Sequence, residues 1–284
     1  MSETDTGGPA PKTSRAGRNL PAAIAVGAAL GFGLIAILIF APRVWVGIVA
    51  VAIAVATHEV VRRLRDGGFS IPVVPLLIGG QVMIWLTWPF GATGALGGFG
   101  GTVLVCLIWR LLGQGLRSAP QNYLRDVSVT IFLAAWIPLF GAFGVLLIYP
   151  DDGWARVFCL LLPVVFSDIG GYTAGVLFGK HTMVPAISPK KSWEGFAGSL
   201  LCGTAAAVLA VTFLLDKPAW VGVPLGLLLV VTGTLGDLVE SQVKRDLGIK
   251  DMGTLLPGHG GIMDRIDSIL PSAVATWIVL SLLA

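Results

Sequence analysis

The chain has 284 residues, of which 55% are hydrophobic and only 12% charged, with a formal net charge of +3 and a mean hydropathy of +0.85. Soluble domains carry about 25% charged residues, so this composition excludes an ordinary water-soluble fold and points to an all-α polytopic membrane protein. Cys106, Cys159 and Cys202 are odd in number, lie in apolar runs and lack CxxC or Cys/His spacing, which argues against a zinc site or a disulfide framework.

Residues 1–19 are polar and rich in Gly, Pro, Ser and Thr, with no signal-peptide pattern, and are expected to form a short disordered tail (1–20). Apolar runs long enough to cross the hydrocarbon core follow at 22–40, 44–61, 71–90, 93–112, 127–148, 155–178, 196–215, 220–240 and 269–284. With nine spans and a cytoplasmic N-terminus, sixteen Lys and Arg fall in cytoplasmic segments and only Arg43, Arg156 and Lys217 fall outside. Adding or removing one span would scramble that asymmetry, so the positive-inside rule supports this topology. Trp45, Trp88, Trp109, Trp154 and Trp220 lie near expected span ends, where the indole suits the headgroup region. The run GATGALGGFGG at 91–101 reads as close helix packing. Residues 21–150 are expected to form a scaffold of about five helices, and 151–284 a catalytic region of about four.

Three polar segments interrupt the apolar pattern. In the first, FSDIGGY, Asp168 lies inside the sixth span, where a carboxylate is costly unless it is paired, metal-bound or facing a wet cavity. The second is SPKKSWEG at 188–195. Ser188 followed by Pro189 suits a helix start, which would place Lys190 and Lys191 at a helix N-terminus as membrane anchors or as an anion site.

The third segment is the most concentrated: residues 244–268 hold four basic side chains, four aspartates and a histidine. Just before it, Asp237, Glu240, Ser241 and Lys244 repeat at i, i+3, i+4, i+7 and share one face of a continued eighth helix. Asp264, Asp267 and Ser268 repeat at i, i+3, i+4 at the start of the ninth. Carboxylates converging from two helices call for a cation. Mg²⁺ suits them, because it takes oxygen ligands and is held by a few carboxylates together with substrate phosphates.

Lys244, Arg245, Lys250 and Arg265 supply charge for those phosphates, and the turn His259-Gly260-Gly261 offers backbone amides to an anion. His259 suits phosphate binding better than proton transfer, since a phosphate nucleophile is already ionised near neutral pH. Two other motifs fail. Gly253 and Gly258 have phosphate-loop spacing, but His259 and Gly260 stand where Lys and Ser/Thr are required; DGWAR at 152–156 lacks the rest of the phosphotransferase motif that it begins. His58 and Glu59 read as interfacial groups.

The run from Ser241 to Asp267, with Val243-Lys244-Arg245, Lys250-Asp251, Gly253, Leu256-Pro257, His259-Gly260-Gly261-Ile262 and Asp264-Arg265-Ile266-Asp267, resembles the signature of phosphatidate cytidylyltransferases. The segments around Asp168 and SPKKSWEG resemble upstream elements of the same family, with Gly171 standing where Ala is usual. The resemblance implies transfer of a cytidylyl group from CTP to phosphatidic acid with Mg²⁺, with room for a second cation. It also implies that Asp237 and Asp264 are metal ligands, joined by Asp267 and Glu240, and that Asp237, Asp264, Lys244 and Asp168 carry the reaction. Ser188, Lys190, Lys191, Glu194, Ser241, Arg245, Lys250, His259, Gly260, Gly261 and Arg265 are the expected substrate contacts.

Expected partners are CTP, phosphatidic acid and membrane lipid, not nucleic acid, with a homodimer as a further expectation. The expected location is a bacterial plasma membrane, with the site at the cytoplasmic face. The competing reading is an ion- or proton-coupled transporter in which Asp168, Asp237 and Asp264 line a path; it requires polar groups distributed across the membrane.

Overall fold

The structure, a computed structural model, describes residues 33, 35–114, 116–117, 119–253 and 260–283. Residues 35–40 are helical; most of the expected first span, and the tail before it, lie outside the described residues. The remaining helices follow the apolar runs in chain order: α1 (Pro42–Asp66), α2 (Val73–Gln114), α3 (Tyr123–Ala134), α4 (Phe140–Ile148), α5 (Gly153–Phe178), α6 (Trp193–Leu214), α7 (Ala219–Asp246), the single turn α8 (Met263–Ile266) and α9 (Ile269–Leu283).

Helix α2 is two spans in one. Gly91 adopts φ 56° and ψ −141°, a conformation that glycine reaches without Cβ strain, and the chain reverses there. The two arms, 73–90 and 92–114, then pack closely against each other at glycines. A Cβ on Gly98 would lie 2.9 Å from the Met83 Cα, and one on Gly79 would overlap Thr102. Seven helical segments are long and apolar enough to cross a membrane, and this one folds back on itself, so the described residues hold eight apolar arms. Between α3 and α4 a π-helical turn, Ala135–Leu139, accommodates Pro138, whose missing N–H an unbroken α-helix could not use.

The C-terminal helices pack through small residues in the same way. Gly195 of α6 sits against the Gly171 carbonyl of α5, Gly226 of α7 against Thr204 of α6, and Gly236 of α7 against Pro271 and the Asp267 carbonyl beside α9. Without Cβ atoms at the contacts the backbones approach closely, the main attraction open to helices surrounded by lipid.

Two features differ from the sequence expectation. Ser188 does not cap a helix: Ser188–Ser192 forms strand β2, paired antiparallel with β1 (Thr182–Val184). Ser192 is the cap instead, its Oγ accepting the Gly195 N–H at 3.1 Å, with Glu194 in the first turn. That placement gives the positive end of the helix an acidic neighbour and keeps Lys190 and Lys191 off it. Trp45 is also not interfacial. It is buried and its Nε1–H donates to the Gly144 carbonyl at 2.9 Å, whereas Trp109 and Trp220 are exposed as expected.

The basic segments gather at one end. Arg125 donates to the Gly68 carbonyl at 2.8 Å, Arg63 to the Met252 carbonyl at 2.9 Å and Arg245 to the Ile187 carbonyl at 3.3 Å. The connections after α1, α2, α5 and α7 are thereby joined, as alternating spans require.

Candidate active site

Where α5, β2, α6, α7 and the 264–268 turn meet, they enclose a cavity of about 380 Å³. All of its lining comes from Val164 onward, and it brings together Asp168, Lys190, Lys191, Asp237, Asp264 and Asp267. Local packing explains the convergence. The Gly170-Gly171 pair lets α6 lie directly on α5, so that Ser199 donates to the Ser167 carbonyl at 2.8 Å beside Asp168. The β1–β2 hairpin folds over the same end and delivers the two lysines.

The electrostatics divide into two parts. Asp237 and Glu240 of α7 and Asp267 after α8 form an acidic group whose ligand oxygens lie within 4.8 Å of one another. Glu240 and Asp267 are buried, and Glu240 Oε1 has no hydrogen-bond partner among the described residues. Converging carboxylates with an orphaned oxygen fit a hard divalent cation, which takes oxygen ligands and offsets the mutual repulsion. Asp264 lies outside this group. Its carboxylate accepts the backbone N–H of Met252 at 3.0 Å and of Gly261 at 2.8 Å, and it meets Lys244 Nζ at 2.9 Å.

The cations are paired as well. Lys244 is ion-paired with Glu240 one turn earlier on α7, in addition to Asp264, and Lys191 is ion-paired with Asp237. Lys190 is exposed on the cavity wall. Ser241 Oγ lies 3.4 Å from Asp237 Oδ1, which it shares the i, i+4 helix face with.

Other expected contacts stand apart from the cavity. Glu194 accepts the N–H of Lys180 at 3.1 Å and of His181 at 3.2 Å, and meets His181 Nδ1 at 2.6 Å, so it fixes the turn before β1. Ser188 lies at the far end of β2, and Arg245, Lys250 and Arg265 are exposed. Gly260 adopts φ 81° beside Asp264, and Gly261 donates to it as above. His259 lies outside the described residues.

Sequence reading missed Glu59, which is buried rather than interfacial. Its Oε2 accepts the Met263 N–H at 3.0 Å. It also missed Asp126, fully buried between Arg110 at 2.7 Å and Arg125 at 2.9 Å. A carboxylate within an apolar run signals such a partner, but not which one.

A bundle of apolar helices that collects carboxylates and lysines in one cavity defines an integral membrane protein with an acidic group able to hold a cation. The comparisons agree. The profile of the cytidylyltransferase family matches residues 21–283, and the chain belongs to that family. The phosphatidate cytidylyltransferase of Mycobacterium bovis is 66% identical over 283 residues, which cover 97% of this chain and 92% of the relative. That of Mycobacterium leprae is 64% identical, covering 95% and 90%. The enzyme of Staphylococcus haemolyticus is 30% identical over 243 residues, covering 84% and 92%.

Proposed function

We propose that the chain transfers the cytidylyl group of CTP to phosphatidic acid, forming CDP-diacylglycerol and pyrophosphate, in the cavity between α5, α6 and α7. A lipid phosphate oxygen attacks the α-phosphorus of CTP, a P–O bond forms, and the bond to the β-phosphate bridge breaks as pyrophosphate leaves. The nucleophile is already an anion, so the protein's tasks are positioning and charge neutralisation rather than strong-base chemistry. The observation that carries this reading is that the three polar segments meet in one cavity of a chain belonging to this family.

Asp237, Glu240 and Asp267, with Asp264 beside them, are the residues that would hold Mg²⁺. Bound there, the ion would draw off phosphate charge in the transition state. Lys190 and Lys191 reach the triphosphate from the hairpin; Lys244, and at the rim Arg245, Lys250 and Arg265, take the remaining phosphate charge. Asp168 lines the same cavity and offers the lysines a second carboxylate. The basic end is the cytoplasmic face of a bacterial cell membrane, because Lys and Arg are retained on that side and CTP is found there. Both substrates then meet at one level, the nucleotide from water and the lipid headgroup from the bilayer surface.

The transporter reading requires polar groups along the whole membrane path. Those of the cavity cluster at one end, and family membership leaves that reading without support. Purified protein given radiolabelled CTP, phosphatidic acid and Mg²⁺ should yield labelled CDP-diacylglycerol. Folded protein that yields none rejects the assignment. Cysteines placed at Lys190 and Lys250 should both react with an impermeant reagent from the cytoplasmic side only.

A further inference from the structure

Helix α1 belongs to the half of the chain that contributes nothing to the cavity wall, yet two of its side chains grip the loop that carries Asp264. Glu59 is 8% exposed, and its Oε2 accepts the Met263 N–H at 3.0 Å. Its carboxylate is pressed so closely on the loop that a Cβ built on Gly261 would lie 2.7 Å from Glu59 Cδ, and one on Gly253 would also overlap it. One turn later on the same face of α1, Arg63 Nε donates to the Met252 carbonyl at 2.9 Å.

The loop residues held in this way also hold Asp264. The N–H groups of Met252 and Gly261 donate to its carboxylate. Contact therefore runs from α1 through the two rims of the loop to Asp264, and from there to Lys244 and Glu240. A buried carboxylate is a poor stabiliser compared with an apolar side chain of similar size, so its presence suits a task of specification better than one of stability.

We propose that Glu59, assisted by Arg63, is a positioning residue for the transfer reaction: it fixes Met252, Gly261 and Met263 so that Asp264 keeps its place beside Lys244 and the acidic group that would hold Mg²⁺. The inference rests on the function proposed above. Misplacement by about 1 Å costs on the order of 10²-fold in rate. In the full-length, detergent-purified protein, Glu59→Ala should lower kcat by about 10- to 100-fold while leaving KM for CTP and phosphatidic acid within about threefold. Glu59→Gln keeps an acceptor for the Met263 N–H and should restore kcat to within about threefold of wild type. Hydrogen exchange at Met252, Gly261 and Met263 should rise in Glu59→Ala and remain at the wild-type level in Glu59→Gln.

A kcat within twofold of wild type in Glu59→Ala, a loss of kcat without faster exchange, or a Gln variant as impaired as Ala overturns the proposal. If Glu59→Ala does not fold, Arg63→Met at the opposite rim carries the same test, with slower turnover and faster loop exchange expected. Unchanged turnover and exchange in that variant likewise overturn it. A wild type that makes no CDP-diacylglycerol defeats the proposed function alone, because the exchange comparison needs no turnover.

Discussion

Asp126 and the Asp237–Glu240–Asp267 group are arranged in opposite ways. Asp126, in the N-terminal half, is clasped by Arg110 and Arg125 with its oxygens fully engaged. Arg125 continues outward over the Phe69 ring at 4.5 Å, which closes the site to change. Asp237, Glu240 and Asp267 face one another instead, with one lysine reaching each of the first two and an oxygen of Glu240 left over. Carboxylates within the bundle thus serve two ends. A satisfied carboxylate ties helices together, whereas several that converge with too few cations among them are available to a positive ligand.

The widest separation between the two groups should appear on removing charge. Asp237→Asn or Asp267→Asn should reduce CDP-diacylglycerol formation by at least about 10²-fold. The unfolding midpoint should not fall, since one repulsion is relieved; labelled-CTP turnover and a thermal melt read the two effects. Asp126→Asn should do the reverse. Breaking a buried ion pair costs about 3–5 kcal/mol, so the melt should shift strongly downward while kcat of the folded fraction stays within about twofold.

A smaller effect is expected at the edge of the acidic group. Lys191→Ala removes one charge-assisted contact and should raise KM for CTP about tenfold, the equivalent of about 1.4 kcal/mol. The smallest expected change lies far from either group. Gly91→Ala places a Cβ at φ 56° and should lower stability by about 1 kcal/mol, seen in the melt, with KM and kcat unaltered.

Much of this arrangement was legible in the sequence, for identifiable reasons. The helices follow the apolar runs: the expectation 155–178 becomes Gly153–Phe178, and 220–240 extends to Asp246, because the polar stripe Asp237–Lys244 continues the helix. Gly91 ends one expected span and precedes the next, as glycine composition and span length suggested. Of the polar residues that stood out, Asp168, Lys190, Lys191, Asp237, Asp264 and Asp267 line the cavity, whereas Arg245, Lys250 and Arg265 are not among its lining residues.

What was not legible depends on partners distant in sequence. Glu59 meets Met263 across 204 positions and Arg63 meets Met252 across 189, and no local periodicity encodes either contact. Trp45 was assigned by its place near a span end, but its partner carbonyl is 99 residues away. Local capping rules make SPKK a helix start; pairing with 182–184 places it in a strand and moves the cap to Ser192. The i, i+3 spacing placed Asp264 with Asp267, yet α8 ends after one turn, and the amides of the 252–261 loop draw Asp264 away from the acidic group.

The pairing of Lys191 with Asp237 and of Lys244 with Glu240 has one more consequence. At rest these two pairs offset part of the cavity's charge, and the acidic residues still outnumber the lysines. An incoming triphosphate competes for the lysines, and an incoming divalent ion competes for the carboxylates. Either ligand alone strands the group it displaces. Together they exchange these partners, so each should tighten the binding of the other.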